Sequence, residues 1–125
     1  MRPFSFDPAS PLEWMRLGIA AVWVVFGLVF KALDAVPRHR RIVARILGEA
    51  RAGPATTLIA AGEVGIGLWM LSGVWLPACV ALQTVALVAM NTLEIRRARD
   101  LLISPVGMVL ANAVLLALGW WVALG

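Results

Sequence analysis

The chain of 125 residues has a single cysteine, Cys79, and a single histidine, His39, and these scarcities close off several chemistries. A lone thiol forms no intramolecular disulfide and no paired-thiol site of a membrane dithiol oxidoreductase, so Cys79 is expected to pack in the core. One imidazole offers neither paired-His haem ligation nor a His-rich zinc site within one chain, and no haem, flavin or metal signature is present. Charge is scarce too: 14% of residues are charged against 62% hydrophobic, with a mean hydropathy of +0.89. A soluble domain this small cannot hide so much apolar surface, so a bilayer must receive the excess. No glycine-rich loop follows a strand pattern, which leaves nucleotide binding without support.

Four apolar segments are each close to the roughly 20 residues a helix needs to cross the hydrocarbon core. They run approximately over Leu12–Leu33, Ala55–Ser72, Trp75–Leu93 and Ile103–Leu124. Between the second and third, Ser72-Gly73-Val74-Trp75-Leu76-Pro77 is short and uncharged, with Gly to end one helix and Pro suited to the first turn of the next. The apolar core of the first segment, Leu17–Phe30, ends in Lys31 with no small-residue cleavage pattern before it, so the segment reads as a retained span rather than a signal peptide. The expected fold is all-α: one transmembrane domain over residues 1–125, an antiparallel four-helix bundle in the membrane.

Basic residues set the expected orientation. Of the eleven Lys and Arg residues, nine (Lys31, Arg38, Arg40, Arg41, Arg45, Arg51, Arg96, Arg97 and Arg99) flank the first and third connections, leaving Arg2 and Arg16 for the opposite side. This places those connections in the cytoplasm and both termini outside, in a multi-pass protein of the plasma (inner) membrane. Trp14, Trp75, Trp120 and Trp121 map to the outer ends, where amphipathic rings prefer the headgroup layer. Arginines arranged this way are topology determinants and contacts for anionic membrane lipids, which argues against nucleic acid as a partner.

The first connection contains its own short helix pattern, Pro37 to Gly48. Ile42, Val43, Ile46 and Leu47 fall on one face and Arg38, Arg41 and Arg45 on another, as in a helix lying in the interface plane. His39 on this connector is expected to meet solvent or lipid phosphate.

Glu63 interrupts an otherwise apolar or small run from Ala55 to Trp75. A carboxyl at bilayer depth is costly and marks a functional candidate, here for handling a proton, an ion or a ligand contact. With a rise of ~1.5 Å per residue, Glu63 and Asn112 each lie about 12–14 Å inside their spans, at similar depth. On the third span Gln83, Leu87, Asn91 and Glu94 recur at steps of four, four and three, so their polar groups share one side that should face the interior. Lys31 ends the first span near Glu94, placed either to pair with it or to snorkel to the interface as a topology residue. Along the second span Thr56, Ala60, Glu63, Gly67 and Met70 share a face, with Gly62 and Gly65 expected to allow close backbone approach beside it. Trp23 and Trp69 lie within spans, placed to pack on helices or on a ligand. A flat, mostly apolar molecule with one or two carbonyl or hydroxyl groups suits this lining; a quinone is one example, and sterols, isoprenoids and other lipids are others.

The run Glu63-Val64-Gly65-Ile66-Gly67-Leu68-Trp69-Met70-Leu71-Ser72-Gly73 resembles the DoxX-like family of small four-span membrane proteins. So do Trp23-Val24-Val25-Phe26-Gly27-Leu28-Val29-Phe30-Lys31, the Pro37-Arg38-His39 connector, Gln83, Asn91-Thr92-Leu93-Glu94, and Leu101-Leu102-Ile103-Ser104-Pro105-Val106-Gly107 with Asn112. Some relatives are implicated as subunits of thiosulfate:quinone oxidoreductase, and others are associated with redox homeostasis or fused to epimerase-like domains. The resemblance therefore implies quinone-linked membrane redox chemistry with a redox partner protein.

Three readings follow. In the first, the bundle binds a quinone or other lipid-like molecule, with Glu63 exchanging a proton. Asn91 and Asn112 then hydrogen-bond polar ring substituents, Trp23 or Trp69 packs on the apolar body, and Lys31, Gln83 and Glu94 complete the polar cluster. In the second, the chain is a non-catalytic anchor or assembly subunit whose polar residues only specify packing. In the third, it is a transporter or ion pathway, which the apolar outer half around Trp69, Leu71, Cys79 and Leu118 disfavours. Self-association stays open, because four spans can close a bundle or leave a face for a second copy.

Overall fold

A computed structural model describes residues 8–32 and 37–125, and every regular element among them is helical. The first helix, α1, spans Pro11–Val24 and continues as a π-helical segment over Val25–Ala32. A short helix, α2, covers Pro37–Leu47; α3 runs over Glu49–Ser72, α4 over Leu76–Arg97 and α5 over Pro105–Leu124, with a 3-10 turn at Arg99–Leu101. Four helical stretches are long and apolar enough to cross a membrane: Pro11–Leu28, Glu49–Ser72, Leu76–Arg97 and Pro105–Leu124. The side chain of Lys31 lies outside the described residues, and so does any pairing with Glu94.

The helix ends follow from local chemistry. Proline opens α1, α2 and α5, where its missing N–H costs no intrahelical bond. At the start of α5 the Ser104 Oγ accepts a hydrogen bond from the Gly107 N–H at 3.0 Å, satisfying one of the free donors of the first turn. Gly73 ends α3 with φ 75°, and Trp75 precedes α4 with φ 48°, a conformation that disfavours a side chain. Side chains hold this turn: the Trp69 indole N–H donates to the Val74 carbonyl at 2.6 Å, and the Ser72 hydroxyl donates to the Trp69 carbonyl and accepts from the Val74 N–H.

Two helices extend beyond their expected bounds. α3 begins at Glu49 rather than Ala55, because Pro54 forfeits a single backbone bond close to the helix start and the helix tolerates it. The break between α2 and α3 falls instead at Gly48, whose φ of 96° suits glycine alone. α4 continues to Arg97, one turn past the apolar run.

α1 packs on α3 through glycine. A Cβ on Gly67 would stand 2.9 Å from the Ala20 carbonyl oxygen and 2.6 Å from Val24 Cγ2, while one on Gly27 would stand 2.7 Å from the Ala60 carbonyl oxygen and 3.0 Å from Glu63 Cβ. Gly62 and Gly65 face open space, contrary to the sequence expectation, because α1 covers the neighbouring face that carries Ala60, Glu63 and Gly67. α5 lies along α4, with Gly119 against Val80 and the Trp120 indole N–H donating to Thr84 Oγ1 at 3.0 Å. The buried core gathers Ile19, Trp23, Met70, Cys79, Val80 and Val122. α2 packs on α3, α4 and the π-helical segment, with Ile42 and Val43 buried. An exposed ion pair, Arg45 to Asp100 at 2.6 Å, joins it to the 3-10 turn. Trp14, Trp75 and Trp121 are exposed, whereas Trp120 turns inward to Thr84.

Two outcomes follow from this packing. Gly67→Ala should destabilise the protein by about 1–3 kcal/mol through overpacking, whereas Gly65→Ala, in open space, should be neutral or stabilising by up to about 1 kcal/mol; denaturant unfolding in detergent would compare the two. Arg45 holds the Asp100 carboxyl below the usual carboxylate range, chiefly by hydrogen bonding. That contribution is present above the unfolded carboxyl pKa of about 3.9 and is lost as pH falls through the lower folded value. Asp100→Asn should therefore flatten the acid limb of the unfolding curve, measured as melting temperature against pH.

Candidate functional site

The α4 stripe divides between two environments. Gln83 is fully buried and works as a fastener. Its Oε1 accepts the Trp23 indole N–H at 3.1 Å, and its amide N–H donates to Cys79 Sγ at 3.4 Å and to Met70 Sδ at 3.7 Å. Three helices thus meet at one amide, and the plane of Trp23 is set by a bond that consumes its sole polar atom.

Beyond Trp23 a cavity of about 490 Å³ opens between the helices and α2. Its wall carries Trp23 and Phe26 from the first helix, Glu63 from α3, Asn91 and Glu94 from α4, and Asn112 from α5. Ile42, Val43, Ile46 and Leu47 of α2 close another side, with Arg38 and His39. Of the apolar face of α2, Ile42 and Val43 are buried against protein while Leu47 stays exposed, and the His39 ring stacks on Phe26 with centroids 6.3 Å apart and planes 9° from parallel. The remaining lining is apolar, including Leu87, Met90, Met108 and Leu115.

The polar groups in this wall have definite capacities. Asn112 Nδ2 donates to Asn91 Oδ1 at 3.0 Å, so the pair retains one amide donor set on Asn91 and one carbonyl acceptor on Asn112. Such a pair can meet a hydroxyl or a carbonyl. Glu63 is 4% exposed and sits where the backbone of Gly27 comes closest to α3. Its side chain can pass a proton or accept a hydrogen bond at the edge of an apolar space. Among the described residues, no three His, Cys, Asp or Glu side chains come together in a metal-binding group.

Of the residues singled out from sequence, Trp23, Glu63, Asn91, Glu94 and Asn112 share this cavity. Trp69 does not line it; its indole is tied to the α3–α4 turn. Gln83 stands behind the wall, in contact with Trp23.

A second polar group was missed. Arg16, counted from sequence as a rim cation, is 2% exposed. Its guanidinium bonds Glu13 Oε2 through Nη2 at 2.6 Å and Nε at 3.1 Å, the Met70 carbonyl at 3.2 Å, and the Leu71 carbonyl. These carbonyls belong to the last turn of α3, where a cation is favoured by both the free acceptors and the helix dipole. The i, i+3 spacing of an acid and a base inside an apolar span was the available signal. The half of the protein that holds the α3–α4 turn therefore contains a buried charge pair, although the sequence suggested an apolar lining around Trp69, Leu71, Cys79 and Leu118.

A helical chain with four membrane-length apolar helices and a largely apolar cavity edged by carboxyl and amide groups is a multi-pass membrane protein. The family model that matches it, over residues 20–120, is that of the DoxX-like family. The chain belongs to this family. Comparison with curated proteins and with solved structures gave no match.

Removing Arg16 leaves Glu13 buried without its counter-charge and strips the α3 carbonyls of their donor. Arg16→Leu should cost about 3–5 kcal/mol. Glu13→Leu in the same chain should recover part of that loss but not all, because the carbonyls stay uncapped; unfolding of the single and double variants in detergent measures both.

Proposed function

We propose that this DoxX-like protein is an antiparallel four-span bundle of the plasma (inner) membrane that binds a quinone or another lipid-like molecule between its helices. The observation that carries the reading is the cavity of about 490 Å³, which combines an apolar wall with Glu63 and the Asn91–Asn112 pair. Ligand sites of this size are mostly apolar, with a few placed polar groups that fix orientation. The ring or chain of the ligand packs on Trp23, whose indole Gln83 holds in place. Asn91 and Asn112 supply a donor and an acceptor to its oxygen substituents, and Glu63 gives or takes the proton that accompanies a change in their charge. Glu94 and Lys31 complete the polar end of the site. α2 lies in the membrane interface, its apolar face over the cavity and Arg40, Arg41 and Arg45 toward the cytoplasm, with both termini outside. In this role the chain is a subunit of a membrane redox complex, and electron transfer requires a partner protein.

One observation favours a second reading, a non-catalytic anchor. Asn91 and Asn112 bond to each other, and Gln83 bonds to Trp23, as expected of interhelical fasteners worth about 0.6 kcal/mol and up to ~2 each.

Mass spectrometry of small molecules that co-purify from native membranes separates the two readings. Wild-type protein should carry a stoichiometric quinone or lipid that Glu63→Gln loses while remaining assembled. An identical, non-specific lipid profile in both would favour the anchor.

A further inference from the structure

Arg16, Arg45 and Arg38 differ in how their charge is met. Arg16 is saturated by Glu13 and two carbonyls, and Arg45 is paired with Asp100. Arg38 is the exception. It lines the cavity and is half-buried, yet it makes no ion pair or side-chain hydrogen bond among the described residues. A cation on the wall of a largely apolar cavity, with no counter-charge among the described residues, is a ready partner for an anion held there.

We propose that the cavity takes a single-chain amphiphile with one negative charge, its head on Arg38 and its chain along the apolar wall. This deepens the ligand-binding reading above and rests on it. The planar fork of arginine matches a carboxylate or a phosphodiester in two-point geometry, which a neutral head cannot use. On the α5 side the lining extends from Ser104 to Leu115, about 16 Å at ~1.5 Å per residue, a length suited to a chain rather than a compact ring. Glu63 and Glu94 lie in other parts of the same wall. Arg38 presents one cation to the cavity, which matches a head of one negative charge. His39, beside Arg38 and stacked on Phe26, adds a second nitrogen-bearing group to the α2 wall.

The test uses the full chain in a neutral detergent and native mass spectrometry, with four probes: oleate, the phosphodiester lysophosphatidylglycerol, uncharged oleyl alcohol, and decylubiquinone. Wild-type protein should bind one oleate or one lysophosphatidylglycerol at least tenfold more tightly than oleyl alcohol, and whichever anion is tighter identifies the source of the head group. Arg38→Gln should abolish the preference for an anion while binding oleyl alcohol as before. Arg38→Lys, which keeps the charge but loses the planar fork, should bind the anions several-fold more weakly than wild type while still preferring them to oleyl alcohol, giving an independent check if Arg38→Gln fails to fold. Equal binding of anion and alcohol in wild type, with or without decylubiquinone binding, would overturn the proposal and leave the ligand-binding reading standing. Binding of none of the four probes by a helical protein would overturn both.

Discussion

Where Gly67 meets α1 and where Gly27 meets α3, the two backbones lie so close that a single methyl group would collide with a carbonyl oxygen. In a bilayer no hydrophobic force presses helices together, since lipid tails are as apolar as leucine, so close packing and polar contacts must hold them. The rest of the site depends on this approach. It brings Trp23 of α1 within reach of Gln83, places Glu63 beside Gly27, and lets Arg16 reach the last carbonyls of α3. A wider spacing would separate all three.

Polar groups in these spans are matched locally. Arg16 serves two roles at once, neutralising Glu13 and capping α3, which makes its burial tolerable in an environment with no water to substitute. Gln83 uses its carbonyl on an indole and its amide on two sulfur atoms, which are weak acceptors. Thr84 accepts from Trp120 and donates to the Val80 carbonyl. The cavity wall differs from this pattern, because the Asn91–Asn112 pair keeps hydrogen-bonding capacity and Arg38 keeps its charge. The contrast between matched groups and groups with capacity to spare separates the framework from the part of the molecule suited to a ligand.

α2 has a different status from the spans. It is too short and too basic to cross a membrane, and its apolar face rests on the bundle over the cavity. An amphipathic pattern announces a face that must be covered, but not whether lipid or protein covers it. Here Ile42 and Val43 are buried by the chain itself, so a feature that sequence assigned to the lipid surface also forms one side of the cavity.

The sequence by itself determined the solvent, the number of apolar spans and the short amphipathic helix between the first two, because length and hydropathy are properties of single segments. It also pointed to Glu63, since a carboxyl within an apolar run stands out without any knowledge of its neighbours. Choices between helices were not legible in this way. Gly62, Gly65 and Gly67 look alike in a list, yet Gly67 alone of the three receives a neighbouring backbone. Arg16 and Arg38 both read as flanking cations, but one is clamped to α3 and the other faces a cavity. Trp23 and Trp69 were equivalent candidates until Gln83 held one indole at the cavity and Val74 held the other at a turn. Only the tertiary structure decided these matters, because each depends on which face of one helix meets which face of another, and helix periodicity gives the faces without their partners.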